Sequence, residues 1–139
     1  TLTSATNSNI SGVISGGVKL IKAGTSNLTL ESNNTYTGGT TISGGALVVG
    51  TGSTAGSLGT GAVTNNASLV INRSNAVLQG TDFTSTAITG GGSLTQAGAG
   101  TTTFTLDTKA PTVPTVNLVA NIANGASATD SSQEIGGAF

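Results

Sequence analysis

The sequence predicts an all-β protein wound as a parallel β-helix (β-solenoid), and three observations support this fold class. Short apolar runs with period-two alternation, typical of strands, recur along most of the chain. Glycine and asparagine pairs separate these runs and favour tight corners. In addition, Ile88–Leu106 repeats features of Ile14–Leu30, aligning Leu20 with Leu94. A unit of this kind cannot bury an apolar face alone, so it is expected to stack on copies of itself.

The predicted strands follow one another at short intervals, which favours a solenoid over the longer strands of a β-sandwich. In chain order they are Val18–Lys22, Asn27–Glu31, Thr40–Ser43, Ala46–Val49, Ser68–Asn72, Ala76–Gln79 and Thr102–Leu106. If one coil takes about 20 to 25 residues, residues 1–106 form about four or five coils. Alternation between glycine corners predicts a core. Its inward residues are Leu20, Leu28, Leu30, Ile42, Leu47, Val49, Leu69, Ile71, Leu78, Leu94, Phe104 and Leu106.

Several polar residues receive structural interpretations. Lys19 and Lys22 are expected to be solvated on the outer face, on either side of Leu20. Tyr36 is expected to pack its ring while its hydroxyl reaches the surface. Asparagines near the corners are expected to cap them or to stack as amide ladders. These asparagines are Asn33, Asn34, Asn65 and Asn66.

Composition excludes several classes of function. Only 6% of the residues are charged and the formal net charge is −1, so no basic patch is expected to bind nucleic acid. No apolar run approaches the length of a membrane span, so no membrane insertion is expected of this segment. With no Cys and no His, the chain lacks the usual zinc ligands and the base of Ser-His-Asp or Cys-His catalysis. The absence of Cys also suits a protein exported unfolded. Since the chain starts at Thr1 without Met, we expect a piece of a longer protein.

The acidic residues are scattered, and no catalytic, cofactor-binding or metal-binding residue is assigned. Glu31 and Asp82 could meet across coils as a carboxylate pair, but solvated charges are the preferred interpretation. Asp107 and Asp130 are candidate ligands for a structural calcium ion at a module junction, because Ca²⁺ prefers oxygen ligands. The sequence therefore predicts a protein that is not an enzyme and needs no cofactor.

One stretch carries a family resemblance. Its pattern comprises Gly17, Leu20, Lys22, Gly24, Leu28-Thr29-Leu30, Asn34–Ile42, Gly45 and Leu47. This pattern resembles the passenger-associated repeat of bacterial autotransporters, also called the autotransporter-associated β-strand repeat. The resemblance implies a right-handed parallel β-helix that is exported across the Gram-negative outer membrane. It also implies an extracellular or outer cell-surface location.

A second resemblance marks a boundary after residue 106. Residues 107–116 contain both prolines of the chain, Pro111 and Pro114, and proline is excluded from central strands. This string resembles the junction that opens Ig-like modules in large bacterial surface adhesins. Residues 107–139 are too few for a complete Ig-like domain of about 100 residues. We therefore interpret them as a linker or a partial Ig-like segment.

Three classes of function follow. The first is a structural and adhesive module of a bacterial cell-surface or secreted protein, forming a stalk, rod or fibre for attachment, cell-cell or biofilm contact. Its expected partners are copies of itself end to end or neighbouring modules, with surface polysaccharide or other cells. The alternative is an ice-binding or polysaccharide-binding β-solenoid, favoured by threonine runs at Thr40–Thr41 and Thr101–Thr103. A polysaccharide-cleaving β-helix enzyme is the third class, which the dispersed carboxylates disfavour.

Overall fold

The computed structural model describes residues 2–3, 6–84 and 86–104. Within these ranges every regular element is a β-strand, which confirms the predicted all-β class. The strands are β1 (Leu2–Thr3), β2 (Ser8–Ile10), β3 (Leu20–Ala23), β4 (Asn27–Leu30), β5 (Thr40–Ile42), β6 (Ala46–Ser53), β7 (Val63–Asn65), β8 (Ser68–Arg73), β9 (Val77–Leu78), β10 (Ser93–Gln96) and β11 (Thr102–Thr103).

The strands of successive coils stack into three sheets. Sheet 1 has the order β1-β3-β5-β7, sheet 2 has the order β10-β8-β6-β4-β2, and sheet 3 pairs β11 with β9. Every one of these strand pairs is parallel. The described chain therefore winds as a β-solenoid of about four turns, which confirms the predicted parallel β-helix.

A column of leucines runs through the inner face of sheet 2. Leu28, Leu47, Leu69 and Leu94 occupy the same register position in successive coils. All four side chains are buried. Burial of such a side chain contributes about 1.5–3 kcal/mol relative to exposure. The second column of the same face contains Leu30, Val49 and Ile71, which are also buried. Because coils stack in register, like side chains meet like side chains along the axis.

Coil length varies mainly on one side of the solenoid. From β3 onward, the corner between sheet 1 and sheet 2 takes two or three residues, as at 66–67 and 24–26. Counted from the register column of Leu30, Val49 and Ile71, and so including the last residues of β6 and β8, the return from sheet 2 to sheet 1 takes nine residues at 31–39, thirteen at 50–62 and seventeen at 72–88. We call this return the variable side. The sheets keep their register because the variable side absorbs the differences in length.

The corners between sheet 1 and sheet 2 stack at backbone contact distance. Gly45 has a φ of 63°, which favours glycine. A Cβ at this position would lie 2.2 Å from the carbonyl oxygen of Ser26 in the preceding corner. The Ser43 amide donates to the Lys22 carbonyl at 2.8 Å and ties the same two coils. A side chain at residue 45 would therefore force the coils apart.

One predicted core residue faces outward. Leu78 is 45% exposed, whereas its neighbour Val77 is 2% exposed, so the prediction for Leu78 was wrong. Adjacent apolar residues in Ala76–Gln79 allow two phases of alternation, and these phases bury opposite sets of side chains. The observed phase buries Gln79, whose amide donates to the Thr86 carbonyl at 2.6 Å.

Most other predicted core positions are confirmed. Phe104 is half-buried and meets Phe83 edge-on, with ring centroids 6.0 Å apart. Leu106, the boundary after residue 106 and residues 107–139 lie outside the described residues. The buried positions that were predicted are Leu20, Leu28, Leu30, Ile42, Leu47, Val49, Leu69, Ile71 and Leu94.

The two copies of the internal repeat lie on different sheets. Leu20 belongs to β3 of sheet 1, in register with Thr40 and Val63. Leu94 belongs to β10 of sheet 2, in register with Leu69. The sequence alignment therefore identified similar corner-and-strand segments, but their positions in the coil are not equivalent. Glycine followed by alternating residues suits either sheet, because glycine also directly precedes a strand of sheet 1, as Gly39 does before β5.

Gly59→Ala is expected to lower the free energy of unfolding by about 3 kcal/mol, measured by urea denaturation. A Cβ at Gly59 would lie 2.0 Å from the Tyr36 carbonyl oxygen, and backbone atoms cannot move away as a rotamer can. Gly17→Ala is the matched control, because nothing lies within 4 Å of a Cβ there. We expect the control to change stability by no more than about 0.5 kcal/mol. Equal effects of the two substitutions would contradict the packing described.

Candidate functional site

The structure gives Glu31 and Asp82 separate partners. The Asn9 amide donates to Glu31 Oε1 at 2.7 Å. Asp82 Oδ2 accepts from the Leu78 amide at 2.8 Å, and Asp82 Oδ1 accepts from the Arg73 guanidinium at 3.3 Å. Asp82 is thus a positioned group rather than the freely solvated charge that the sequence suggested. Both carboxylates are engaged in interactions that hold the coils and turns in place.

Arg73 is a buried charge that joins three segments of the chain. The side chain is only 5% exposed and forms the ion pair with Asp82. Its guanidinium also donates to the Gly56 carbonyl at 3.1 Å and to Asn75 Oδ1 at 3.0 Å. A buried guanidinium is tolerated when its donors are paired, as they are here. Arg73 therefore fixes the end of β8 against the variable side of two coils.

Lys22 is buried, which corrects the expectation that it is solvated. Lys22 is 1% exposed, and its Nζ donates to three carbonyls, those of Ala23 (2.8 Å), Gly24 (3.1 Å) and Gly44 (2.9 Å). Burial lowers the pKa of the Lys22 ammonium. Between this lowered pKa and the unfolded value of about 10.4, the unfolded chain binds more protons, so this contribution to stability rises with pH. The ammonium group ties the corners of two successive coils.

Asparagine side chains bond backbone groups where the chain turns, as predicted, with Asn33 and Asn34 on the variable side and Asn65 beside a corner. The buried Asn34 accepts from the Ile14 amide at 2.8 Å and donates to the Ser57 carbonyl at 2.7 Å. Asn33 Oδ1 accepts from the Gly56 amide at 3.0 Å.

Asn65 performs this role at the later corners. Its amide group donates to the Ser93 carbonyl at 2.7 Å and accepts from the Ala67 amide at 3.2 Å. Asn65 lies one register step from Ile42, which lies one step from Lys22. The same column therefore places two polar side chains inside the solenoid, each serving corner backbone groups.

Tyr36 is fully buried, so the expectation of a surface hydroxyl was wrong. Tyr36 is 0% exposed, and its hydroxyl shares a 2.6 Å hydrogen bond with Thr40 Oγ1. Burial raises the pKa of Tyr36, against the smaller opposing effects of the hydrogen bonds to Thr40 and to the Gly59 backbone. The ring is therefore a core residue and is not available as a platform for a carbohydrate.

The threonines that face outward match those expected only in part, since Thr41 is among them and Thr40 is not. Thr40 is buried, and the Thr102 hydroxyl donates to Gln96 Oε1. The outer face of sheet 1 instead carries Thr41 and Thr64 in one register column, followed by Thr89 in the next coil. The Thr89 hydroxyl lies 3.3 Å from the Thr64 hydroxyl. This face offers a single file of threonines.

A groove on the variable side is the candidate binding site. Its volume is about 260 Å³, and its walls come from return segments of successive coils. Ser57 and Leu58 are buried residues in its lining, whereas Thr35, Thr60 and Thr81 are exposed. Hydroxyls, amides and one carboxylate line the groove, and no Lys or Arg does. The lining residues are Asn33, Asn34, Thr35, Ser57, Leu58, Thr60, Thr81 and Asp82.

Two further properties concern metals and membranes. Within residues 6–84 and 86–104, no three His, Cys, Asp or Glu residues are grouped so that they could hold a metal ion. Asp107 and Asp130, the candidate calcium ligands, lie outside the described residues. The part of the chain that the structure describes has no helix long and apolar enough to cross a membrane.

Comparison with known families identifies the repeat. Residues 20–49 match the model of a family described as passenger-associated-transport-repeat. The matched residues run from the start of β3 into β6, which confirms the resemblance to the autotransporter passenger repeat. A repeat of this kind is typical of passenger-type proteins, which are exposed at the surface or secreted. No curated protein and no solved structure matched the chain.

Lys22→Met is expected to lower the free energy of unfolding by about 2–4 kcal/mol, because the buried carbonyls lose their donor. Methionine keeps a similar length, so lost packing contributes little. Lys19→Met is the matched control, since Lys19 is exposed, and we expect its effect to stay within about 0.5 kcal/mol. Thermal or urea unfolding measures both changes. A Lys22→Met protein as stable as the control would show that the ammonium contributes nothing.

Tyr36 should ionise above the ordinary tyrosine pKa of about 10 in the folded protein and near about 10 in denaturant. It is the only tyrosine and the chain has no tryptophan, so ultraviolet absorbance of the tyrosinate reports this residue alone. Because the folded pKa is raised, the associated stability is fully present below about pH 10 and is lost as the pH rises through the folded pKa. A native midpoint at or below the denatured one would refute the buried position.

Proposed function

We propose that this chain is a structural and adhesive module of a bacterial cell-surface or secreted protein, part of a stalk, rod or fibre that mediates attachment, cell-cell or biofilm contact. The observation that carries this proposal is the passenger-associated-transport-repeat at residues 20–49 within a stacked parallel solenoid. A passenger-type protein is displayed outside the cell, and a solenoid holds its surfaces at a fixed distance along one axis.

The geometry suits a rod. About four turns, each rising about 4.8 Å, give the described part a length of about 20 Å along the axis. Each coil contacts only its neighbours, so further coils lengthen a rod without changing its cross-section. Polar residues of the outer faces are mainly uncharged, since only 6% of the whole chain is charged. Such a surface favours contact through hydrogen bonds rather than through strong electrostatic attraction.

We further propose that the module is not an enzyme and needs no cofactor. Asp82 and Glu31 each hold a structural hydrogen-bond partner. The chain has no His or Cys to act as a base or nucleophile near neutral pH. The groove has one carboxylate in its lining, whereas glycoside hydrolysis normally uses two.

Self-association end to end, or contact with a neighbouring module, is the partner proposal. Among the described strands, β10 has a strand neighbour on one side only. The Ser93 and Ala97 amides donate back to the Ala67 and Ile71 carbonyls, both at 2.8 Å. Alternate residues of a parallel strand direct their backbone groups to opposite sides. Leu94 and Gln96 therefore direct theirs away from β8. An edge of this kind can pair with a strand of another chain or module.

The alternative of a flat-surface binder, such as an ice-binding solenoid, rests on the column of Thr41, Thr64 and Thr89. One column gives a line of hydroxyls spaced about 4.8 Å apart and not a two-dimensional array. This geometry favours the adhesive module over ice binding. Absence of thermal hysteresis together with cell or surface attachment would separate the two functions.

Beads coated with the folded chain are expected to attach to bacterial cells or to polysaccharide-coated surfaces more than beads coated with the Gly59→Ala variant, because attachment requires the stacked surface. Flow-chamber counting measures attachment, and the Gly17→Ala variant controls for the substitution itself. Sedimentation over a range of concentrations shows whether the adhering form is a monomer or an end-to-end assembly. Equal attachment by all bead types would overturn the adhesive function. If the unchanged chain cleaved a polysaccharide and the Glu31→Gln or Asp82→Asn variant did not, the module would be an enzyme.

A further inference from the structure

We propose that the groove on the variable side binds one neutral pyranose ring of a carbohydrate. This inference rests on the proposed adhesive function and names the ligand class and the place of contact. It is carried by the juxtaposition of three exposed threonine hydroxyls, an oriented asparagine amide and an oriented carboxylate in one groove of about 260 Å³.

The hydrogen-bonding groups of the groove match a sugar. Thr35, Thr60 and Thr81 each offer a hydroxyl with one donor and two acceptor positions. Asn33 adds an exposed amide whose plane is fixed, because its oxygen accepts from the Gly56 amide at 3.0 Å. Ring hydroxyls of a pyranose both donate and accept. A mixed lining of this type can satisfy both functions, whereas an anion would use only its donors and a cation only its oxygens.

The buried polar groups and the carboxylate of the lining are held in place before any ligand arrives. The backbone N–H of Asn34 donates to Ser57 Oγ at 2.9 Å, and Ser57 Oγ donates to the backbone carbonyl of Asn34 at 3.2 Å. These two bonds hold the buried part of the lining in place. Asp82 is oriented by the Leu78 amide at 2.8 Å and by Arg73 at 3.3 Å. Each carboxylate oxygen retains a further lone pair for a ligand hydroxyl. Pre-organised groups lose little conformational entropy on binding.

Charge and size restrict the ligand further. No cationic side chain lines the groove, and the Arg73 guanidinium is buried and paired. The only charged group of the lining is therefore the Asp82 carboxylate, which repels phosphate, sulfate and uronic acid groups. The volume lies just below the range of about 300–1,000 Å³ that small-molecule sites occupy, which suits a single ring. Leu58 contributes an apolar surface to the lining. A neutral pyranose fits these limits.

Amide chemical shifts of the full chain, measured by NMR, test the site. The probes are the methyl glycosides of glucose, galactose and mannose, with methyl glucuronide as the charged comparison. We expect at least one neutral probe to shift the Thr35, Thr60 and Thr81 amides, and methyl glucuronide to shift them less. A parallel measurement uses the same rings at the ends of immobilised glycans. The tighter of the two forms identifies whether a free sugar or a glycan end is the source of the ring.

Thr60→Val is expected to weaken this binding about fivefold or more, because valine keeps the shape and removes one hydrogen bond. Thr35→Val provides an independent second variant. Thr51→Val is the matched control, since Thr51 is an exposed β6 residue outside the groove, and it should leave binding unchanged. No shifts at the groove with any neutral probe, equal binding of methyl glucuronide, or full binding by both groove variants would each overturn the proposal. Bead attachment that persists in these cases leaves the adhesive function standing with a different contact surface.

Discussion

Every stabilising feature of this solenoid depends on each coil returning to the same register in the parallel sheets. The column of Leu28, Leu47, Leu69 and Leu94 exists only because successive coils place these residues at one height and on one face. A slip by one residue would turn a whole strand over and expose its leucine. The glycine corners make this common register possible, since the backbones of successive corners approach too closely for a Cβ. Local chain geometry and core packing thus impose the same requirement.

Buried polar side chains complete the interior by serving the backbone of the corners. Lys22 donates to carbonyls of two successive coils, and Asn65 bonds backbone groups of the two later corners. Gln96 does the same at the end of sheet 2, with its amide donating to the Gly98 and Gly100 carbonyls at 3.1 and 3.0 Å. Among the described residues, every buried side-chain nitrogen or oxygen has a hydrogen-bond partner. Tight corners leave backbone groups without strand partners, and these side chains supply them.

The fold was predictable from the sequence because alternation and glycine corners each have a direct physical cause. Alternation also predicts the burial of two cations, although their charge argues against it. Lys22 has the same parity as Leu20, and Arg73 has the same parity as Ile71, so a strict reading of the pattern places both cations inside. Charge argues against this placement, because a buried cation is costly unless it has partners. One partner of each cation comes from a neighbouring coil, the Gly44 carbonyl for Lys22 and the Gly56 carbonyl for Arg73, and the strand pattern does not predict these contacts.

Two other features were beyond sequence reasoning for related reasons. The inward phase of Val77 over Leu78 also buries Gln79, whose amide bonds the Thr86 carbonyl, and alternation does not predict this partner. The groove brings together residues from three return segments, 31–39, 50–62 and 72–88, of different lengths. Strand periodicity says nothing about how far such segments project. A repeated corner-and-strand segment can likewise join either sheet, and its position within the coil decides which one.

The division between a fixed corner and a variable side has a consequence for how such a chain can change over time. Insertions in the corner between sheet 1 and sheet 2 would separate backbones that touch, whereas the return segments already differ between nine and seventeen residues without loss of register. New surface chemistry can therefore be acquired by exchanging one return segment, while neighbouring coils keep their contacts. Because coils interact mainly with their nearest neighbours, such exchanges are nearly independent of one another. The binding surface of one coil can thus change by exchange of its return segment, while the stacked sheets and corners stay the same.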